Sequence, residues 1–151
     1  MPRKGNRWAI YAAINAILDG GGAYASLEAM QFEVDQVMRS RWWARLCVAP
    51  AVRHCRVRYP VAGRWSGAWL FPENLGEIRV RPRSACGITI GHELTHFLRW
   101  RPARIQNARA DELDHDRKFA GLQLEVVRNL LGGTYRQELL GFYKQFGVLW
   151  E

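Results

Sequence analysis

An α+β fold is what this sequence predicts, and three features predict it. Apolar residues recur at intervals of three and four before position 40 and again after position 87, the period of helices with one buried face. Between those regions, residues 53–59 alternate in character, which is the period of a strand. Gly and Pro cluster where one pattern gives way to the next. With 151 residues the chain suits a single domain over 1–151. A chain of that length buries roughly 70% of its unfolded surface and needs no staples.

The elements follow in order. Arg7 to Asp19 reads as a helix stopped by Gly20-Gly21-Gly22. Arg3, Lys4 and Arg7 ahead of the apolar stretch Trp8 to Leu18, with Ala23-Tyr24-Ala25 behind it, also outline a secretory leader. Asn15 and Asp19 interrupt that outline, which favours an amphipathic first helix and a cytoplasmic protein. Ser26 suits an N-cap, and Leu27, Met30, Val34, Val37 and Met38 form a core-facing stripe behind it. Arg53 to Tyr59, Ala68 to Phe71 and Glu77 to Val80 read as three strands. Helix returns after Gly87 with Ile90, Leu94, Phe97 and Leu98 on one face, and Pro102 closes it. Asp111 to Leu131 follows, with Phe119, Leu122, Val126 and Leu130 aligned, and Tyr135 to Phe146 is the last helix. The expectation is a small, mainly antiparallel sheet packed with about five helices. No apolar run reaches the roughly 20 residues of a membrane span.

The sharpest motif is His92-Glu93-Leu94-Thr95-His96. On a helix, residues four apart share a face, so His92 and His96 can offer two imidazoles to one cation, zinc by preference. Glu93, one position on, stands beside such an ion and suits a general base for its bound water. By chance the spacing arises in roughly half a per cent of chains of this composition. Catalytic zinc takes a third protein ligand. His115, 19 residues after His96, is the first candidate, expected on the helix that follows the loop. Asp111 is a partner for that histidine or a substitute ligand, and Glu112, Asp114 and Asp116 are further carboxylates. His54 reads as a surface residue or a substrate contact on its strand, ahead of a second metal shared with Cys47 and Cys55, which no ligand spacing supports. Cys47, Cys55 and Cys86 are an odd set with no C-x-x-C pair, which argues for reduced thiols rather than a disulfide framework.

The segment Ile88 to Leu98, followed by His115-Asp116-Arg117-Lys118-Phe119, resembles the zincin pattern in which H-E-x-x-H precedes H-G-x-x-F or H-G-x-x-W. SprT-like proteases carry this pattern. So does a family of small metallohydrolases from mycobacteria and their phages, which the chain resembles more closely. That family's opening is similar to Arg7-Trp8-Ala9-Ile10-Tyr11-Ala12-Ala13, and its Ser-Arg-Trp-Trp stretch to Ser40 through Trp43. Its ending is similar to Leu139 through Val148. The resemblance implies a zincin-like metalloprotease domain that hydrolyses peptide bonds. It also implies His92, His96 and His115 as zinc ligands and Glu93 as catalytic base. One position departs: the family's Gly after the third His is Asp116 here.

Charge supports a second reading. The net charge is +8, and of the 22 basic residues only Lys4, Lys118 and Lys144 are Lys. Such a field attracts phosphates and acidic partners. Arg39, Arg41, Trp42, Trp43 and Arg45, with the basic strand at Arg53 to Arg58, are candidates for a nucleic-acid contact through ion pairs and stacking. Under that reading the protein is a nucleic-acid-associated binding protein whose metal is structural. A substrate strand beside the metal helix, Glu77 to Val80 or the one before it, is expected under the first.

Overall fold

The computed structural model describes residues 6–17, 19–47, 52–62, 65–99 and 115–151. Helices α1 (Asn6–Ala16), α2 (Leu27–Arg39) and α3 (Arg41–Leu46) precede strands β1 (His54–Arg58), β2 (Gly67–Phe71) and β3 (Leu75–Arg79). Helices α4 (Gly87–Leu98), α5 (Arg117–Leu131) and α6 (Gly133–Phe146) follow. The α+β class is as expected. The described residues hold six helices rather than five, because Ser40 ends α2 and its side chain caps the short α3 through the Trp43 amide.

The sheet is mixed, which corrects the expectation of a mainly antiparallel one. Its order is β1-β3-β2, with β3 antiparallel to β2 and parallel to β1. One face carries Cys55, Val57, Ala68, Leu70 and Ile78 into a core shared with Met30, Val34, Val37 and Trp43. Helices α2 and α4 cover that face. A second core joins α1, α5 and α6 through Ile10, Ala13, Phe119, Leu124, Leu139 and Tyr143. Helix α4 stands between the two. Ile90, Leu94 and Phe97 belong to the sheet-side core, while Ile88 belongs to the helical one. That placement explains why nearly the whole helix is buried, with Thr89 and Leu98 its half-buried positions.

The glycine run does more than stop α1. Gly20, Gly21 and Gly22 all have positive φ, a conformation open to Gly at little cost. In it, the Gly20 carbonyl accepts from Ile88 N–H at 2.5 Å and the Gly22 carbonyl from Gly87 N–H at 3.2 Å. Cys86, the N-cap of α4, contributes no side-chain cap, so the turn supplies the orphan amides of that helix instead. Ala23 bridges Cys86 and Tyr24 N–H donates to Ala85. The stretch that outlined a cleavage site is therefore part of the fold, and α1 contributes Ile10, Ala13 and Ile14 to the core. Among the described residues no helix is long and apolar enough to cross a membrane.

Candidate metal centre

His92 and His96 lie one turn apart on α4 and are both buried. The third histidine, His115, precedes α5 rather than lying on it, one residue ahead of the N-cap Asp116. Together the three rings present nitrogens that all lie within 4.8 Å of one another, the one such group among the described residues. His92 Nε2 and His115 Nε2 are 3.2 Å apart. Two nitrogens at 2.0–2.1 Å from a tetrahedral zinc ion are about 3.3–3.4 Å apart, so this pair already spans one edge of such a site. Three imidazoles are a donor set that suits zinc and leaves its fourth position to a water.

The surroundings favour the neutral form of His92 and His115. Tyr11 from α1 stands 5.2 Å, centroid to centroid, from both His92 and His115. Phe119 from α5 stands 4.8 Å from His96 and 4.7 Å from His115. Burial holds His92 well below its usual range, reinforced by the neighbouring His115 and Arg7 charges. His115 is pulled down to about 4 by burial and by Arg7, with Asp116 opposing. Cation binding requires deprotonated imidazoles, the form that burial favours in His92 and His115.

Behind His92 runs a chain of buried polar groups. Gln123 of α5 places its Nε2 3.1 Å from His92 Nδ1, and Tyr143 of α6 donates to Gln123 Oε1 at 2.5 Å. Gln123 and Tyr143 are fully buried. An amide N–H₂ only donates, so in this arrangement His92 Nδ1 accepts and the ring hydrogen sits on Nε2, toward His115. A carboxamide behind a histidine orients its ring and sets its tautomer.

His115 is held by its neighbour. Asp116 accepts from Phe119 N–H at 2.8 Å, capping α5, and pairs with Arg99 Nη2 at 2.6 Å. That pair ties the end of α4 to the start of α5, so the two histidine-bearing segments are fastened together beside the site. Asp116 has φ −84°, a region any residue adopts, so its backbone has no need of a glycine at this position.

The triad borders a cleft on the His92 side. A cleft of about 440 Å³ has His92 and Glu93 in its lining, with Arg7, Trp8 and Tyr11 from α1 and Trp65, Ser66 and Arg81 from the ends of β2 and β3. Glu93, although only 4% exposed, faces this space.

The other sequence candidates fall elsewhere. Asp111, Glu112 and Asp114 lie outside the described residues. Trp43 is not a stacking platform, because it is fully buried with its indole N–H donating to the Val52 carbonyl at 2.8 Å. Trp42 is half-buried against it, while Arg39, Arg41 and Arg45 are exposed. His54 is exposed on the outer face of β1, whereas Cys47 and Cys55 point into the core, so they share no site. Arg56 and Arg58 converge with Arg79 on the buried Glu77. Burial alone would raise that carboxyl, but hydrogen bonds from Arg79 and Arg56 prevail and hold it below its ordinary value. The strand of Glu77 is central and paired on both sides, so it has no edge for a substrate; β2 is an edge strand.

Sequence reasoning missed Gln123, Tyr143, Tyr11 and Arg7. Gln123 had a signal: it falls one turn after Phe119 on the buried side of α5, where a polar residue calls for a polar partner. Tyr11 and Arg7 had none, because nothing local says that α1 docks against the triad. Compared with known protein families, with characterised proteins and with solved structures, the chain matches none.

Proposed function

We propose that this protein is a zinc-dependent hydrolase of the zincin type that cleaves peptide bonds. One observation carries the reading: three buried histidines bring ring nitrogens within 4.8 Å of one another, and one of them, His92, lines an open cleft together with Glu93. A purely structural zinc site is closed by four protein ligands, whereas three histidines leave a position for water. His92, His96 and His115 would hold the ion. When bound, zinc lowers the pKa of a coordinated water toward about 7 and polarises an amide carbonyl.

The remaining work falls to the chain's own groups. Glu93 accepts a proton from the attacking water and returns it to the leaving amine, the general base turned general acid. Gln123 and Tyr143 keep His92 in one orientation. Tyr11 and Phe119 wall off the rings from bulk water, which strengthens every charge interaction inside. The edge strand β2 begins beside the cleft, just after Ser66, and suits backbone pairing with an extended peptide, the recognition mode that needs no side-chain match.

Metal content after loading in zinc-containing buffer, followed by mass-spectrometric analysis of a mixed peptide library, tests this. Close to one zinc per chain and cleaved peptides are expected. The Glu93→Gln variant should keep the metal and lose turnover by roughly 10²–10⁴-fold. A protein that takes up no zinc removes the site, and a Glu93→Gln variant as active as the parent removes the assigned base.

A further inference from the structure

We propose that the cleft beside His92 and Glu93 is a carboxylate subsite, so that the peptides this protein takes carry an acidic side chain or a free C-terminal carboxylate next to the bond presented. This rests on the peptidase reading for the identity of the ligand as a substrate, while the capture of a carboxylate stands on its own geometry.

Two guanidinium groups and one carboxylate line the cleft: Arg7 and Arg81 against Glu93. Neither arginine forms a salt bridge among the described residues. Each instead lies over an aromatic ring, Arg7 at 5.8 Å from the Tyr11 centroid and Arg81 at 4.9 Å from that of Trp65. Stacking occupies the face of a guanidinium and leaves its N–H edge open, the edge that grips a carboxylate through two parallel hydrogen bonds. The sheet-face arginines differ, since Arg56 and Arg79 already spend that edge on Glu77 at 2.7 and 2.6 Å.

Position and walls agree with this use. Tyr11, which carries Arg7, stands 5.2 Å from the His92 and His115 rings, so the cation lies at the rim of the triad. Trp8, next to Arg7 in the chain, and Trp65, under Arg81, also line the cleft and are 64% and 70% exposed, apolar surface left in water beside each arginine. Such rings cover the methylenes of an Asp or Glu side chain while the arginines meet its charge. A divalent ion in the triad would add to the positive excess, and a neutral or cationic side chain would gain nothing from it.

The test is calorimetric titration of the zinc-loaded protein, in a Glu93→Gln background to prevent turnover. The probes are N-acetylated, C-amidated pentapeptides that differ only in a central Asp or Asn, and the Asn peptide with a free C-terminus. The Asp or free-acid peptide should bind at least about tenfold tighter than the Asn amide at low salt, and the margin should shrink as salt is raised. Asp over Asn assigns the side chain as the source of the carboxylate, and free acid over amide assigns the terminus. Arg7→Gln with Arg81→Gln should bring all three peptides within about twofold, whereas the Lys pair, which keeps the charge and controls for folding, should retain part of the margin. Equal affinities in the parent, or a margin that survives both Gln substitutions, overturns the proposal. Tighter, arginine-dependent binding of a thymidine oligonucleotide than of any peptide also overturns it, in favour of nucleic acid. Absence of hydrolysis by the zinc-loaded protein with Glu93 intact would sink the peptidase reading while leaving the subsite to be decided by these affinities.

Discussion

Replacing Gln123 by Leu is the most informative perturbation of the site, because it touches the metal ligands without removing one. A cation at His92 Nε2 takes that atom's lone pair and moves the ring hydrogen to Nδ1, which then needs an acceptor. A half-turn of the Gln123 amide supplies it: Oε1 faces His92, Nε2 faces the Tyr143 oxygen, and the Tyr143 hydroxyl keeps the Ala120 carbonyl at 3.4 Å. Leu offers no such acceptor. Loss of an outer partner of a ligand histidine costs 10–100-fold in metal affinity, or about 1.4–2.8 kcal/mol. Two buried polar groups also lose their amide, at about 1–3 kcal/mol each, so stability should fall by about 2–6 kcal/mol before the gain from added apolar burial. Zinc affinity by chelator competition and stability by urea titration report the two effects separately. Gln123→Glu, which keeps an acceptor of similar shape, should hold zinc within about threefold of the parent. A folded Gln123→Leu protein that binds zinc within twofold of the parent would refute the reasoning.

Further outcomes follow from the same geometry. His115→Ala leaves two histidines and should weaken zinc binding by at least about a hundredfold, read by the same competition, while the circular dichroism of the helices stays unchanged. The zinc-free protein should lose stability as pH falls from 6.5 toward 4. Unfolded His115 takes up a proton near 6.5 but folded His115 only at about 4, so the unfolded state gains protons throughout that window. The loss is on the order of 3 kcal/mol for His115, with His92 adding in the same direction, and urea midpoints measured across that range would show it. Asp116→Ala removes both the cap of α5 and the Arg99 pair, and thermal unfolding should show a loss of about 1–3 kcal/mol together with weaker zinc binding. Gly76→Ala should destabilise by about 1–3 kcal/mol, because its Cβ would lie 3.0 Å from Phe97 and Val52 atoms in the packed core.

Much of this was legible in one dimension because it depends on local spacing. The four-residue step from His92 to His96 puts two imidazoles on one helix face whatever surrounds them. Ser26 and the apolar stripe behind it specify α2, and the alternation of residues 53–59 specifies β1. What the sequence could not decide is what depends on where distant segments meet. His115 stands beside His92 because Asp116 joins Arg99, and no spacing rule encodes that pair. The strand order β1-β3-β2 makes β2 the edge and buries Glu77 among arginines, though Glu77 to Val80 reads as well as its neighbour for a substrate strand. Trp42 and Trp43 are adjacent in a basic stretch, yet packing sends Trp43 fully into the core. Arg7 and Tyr11 reach the triad only because α1 docks against α6 and the glycine turn ties its end to α4. Local preference arises from each residue's own backbone and period. The cleft arises from long-range packing, which is settled by which apolar faces cover one another.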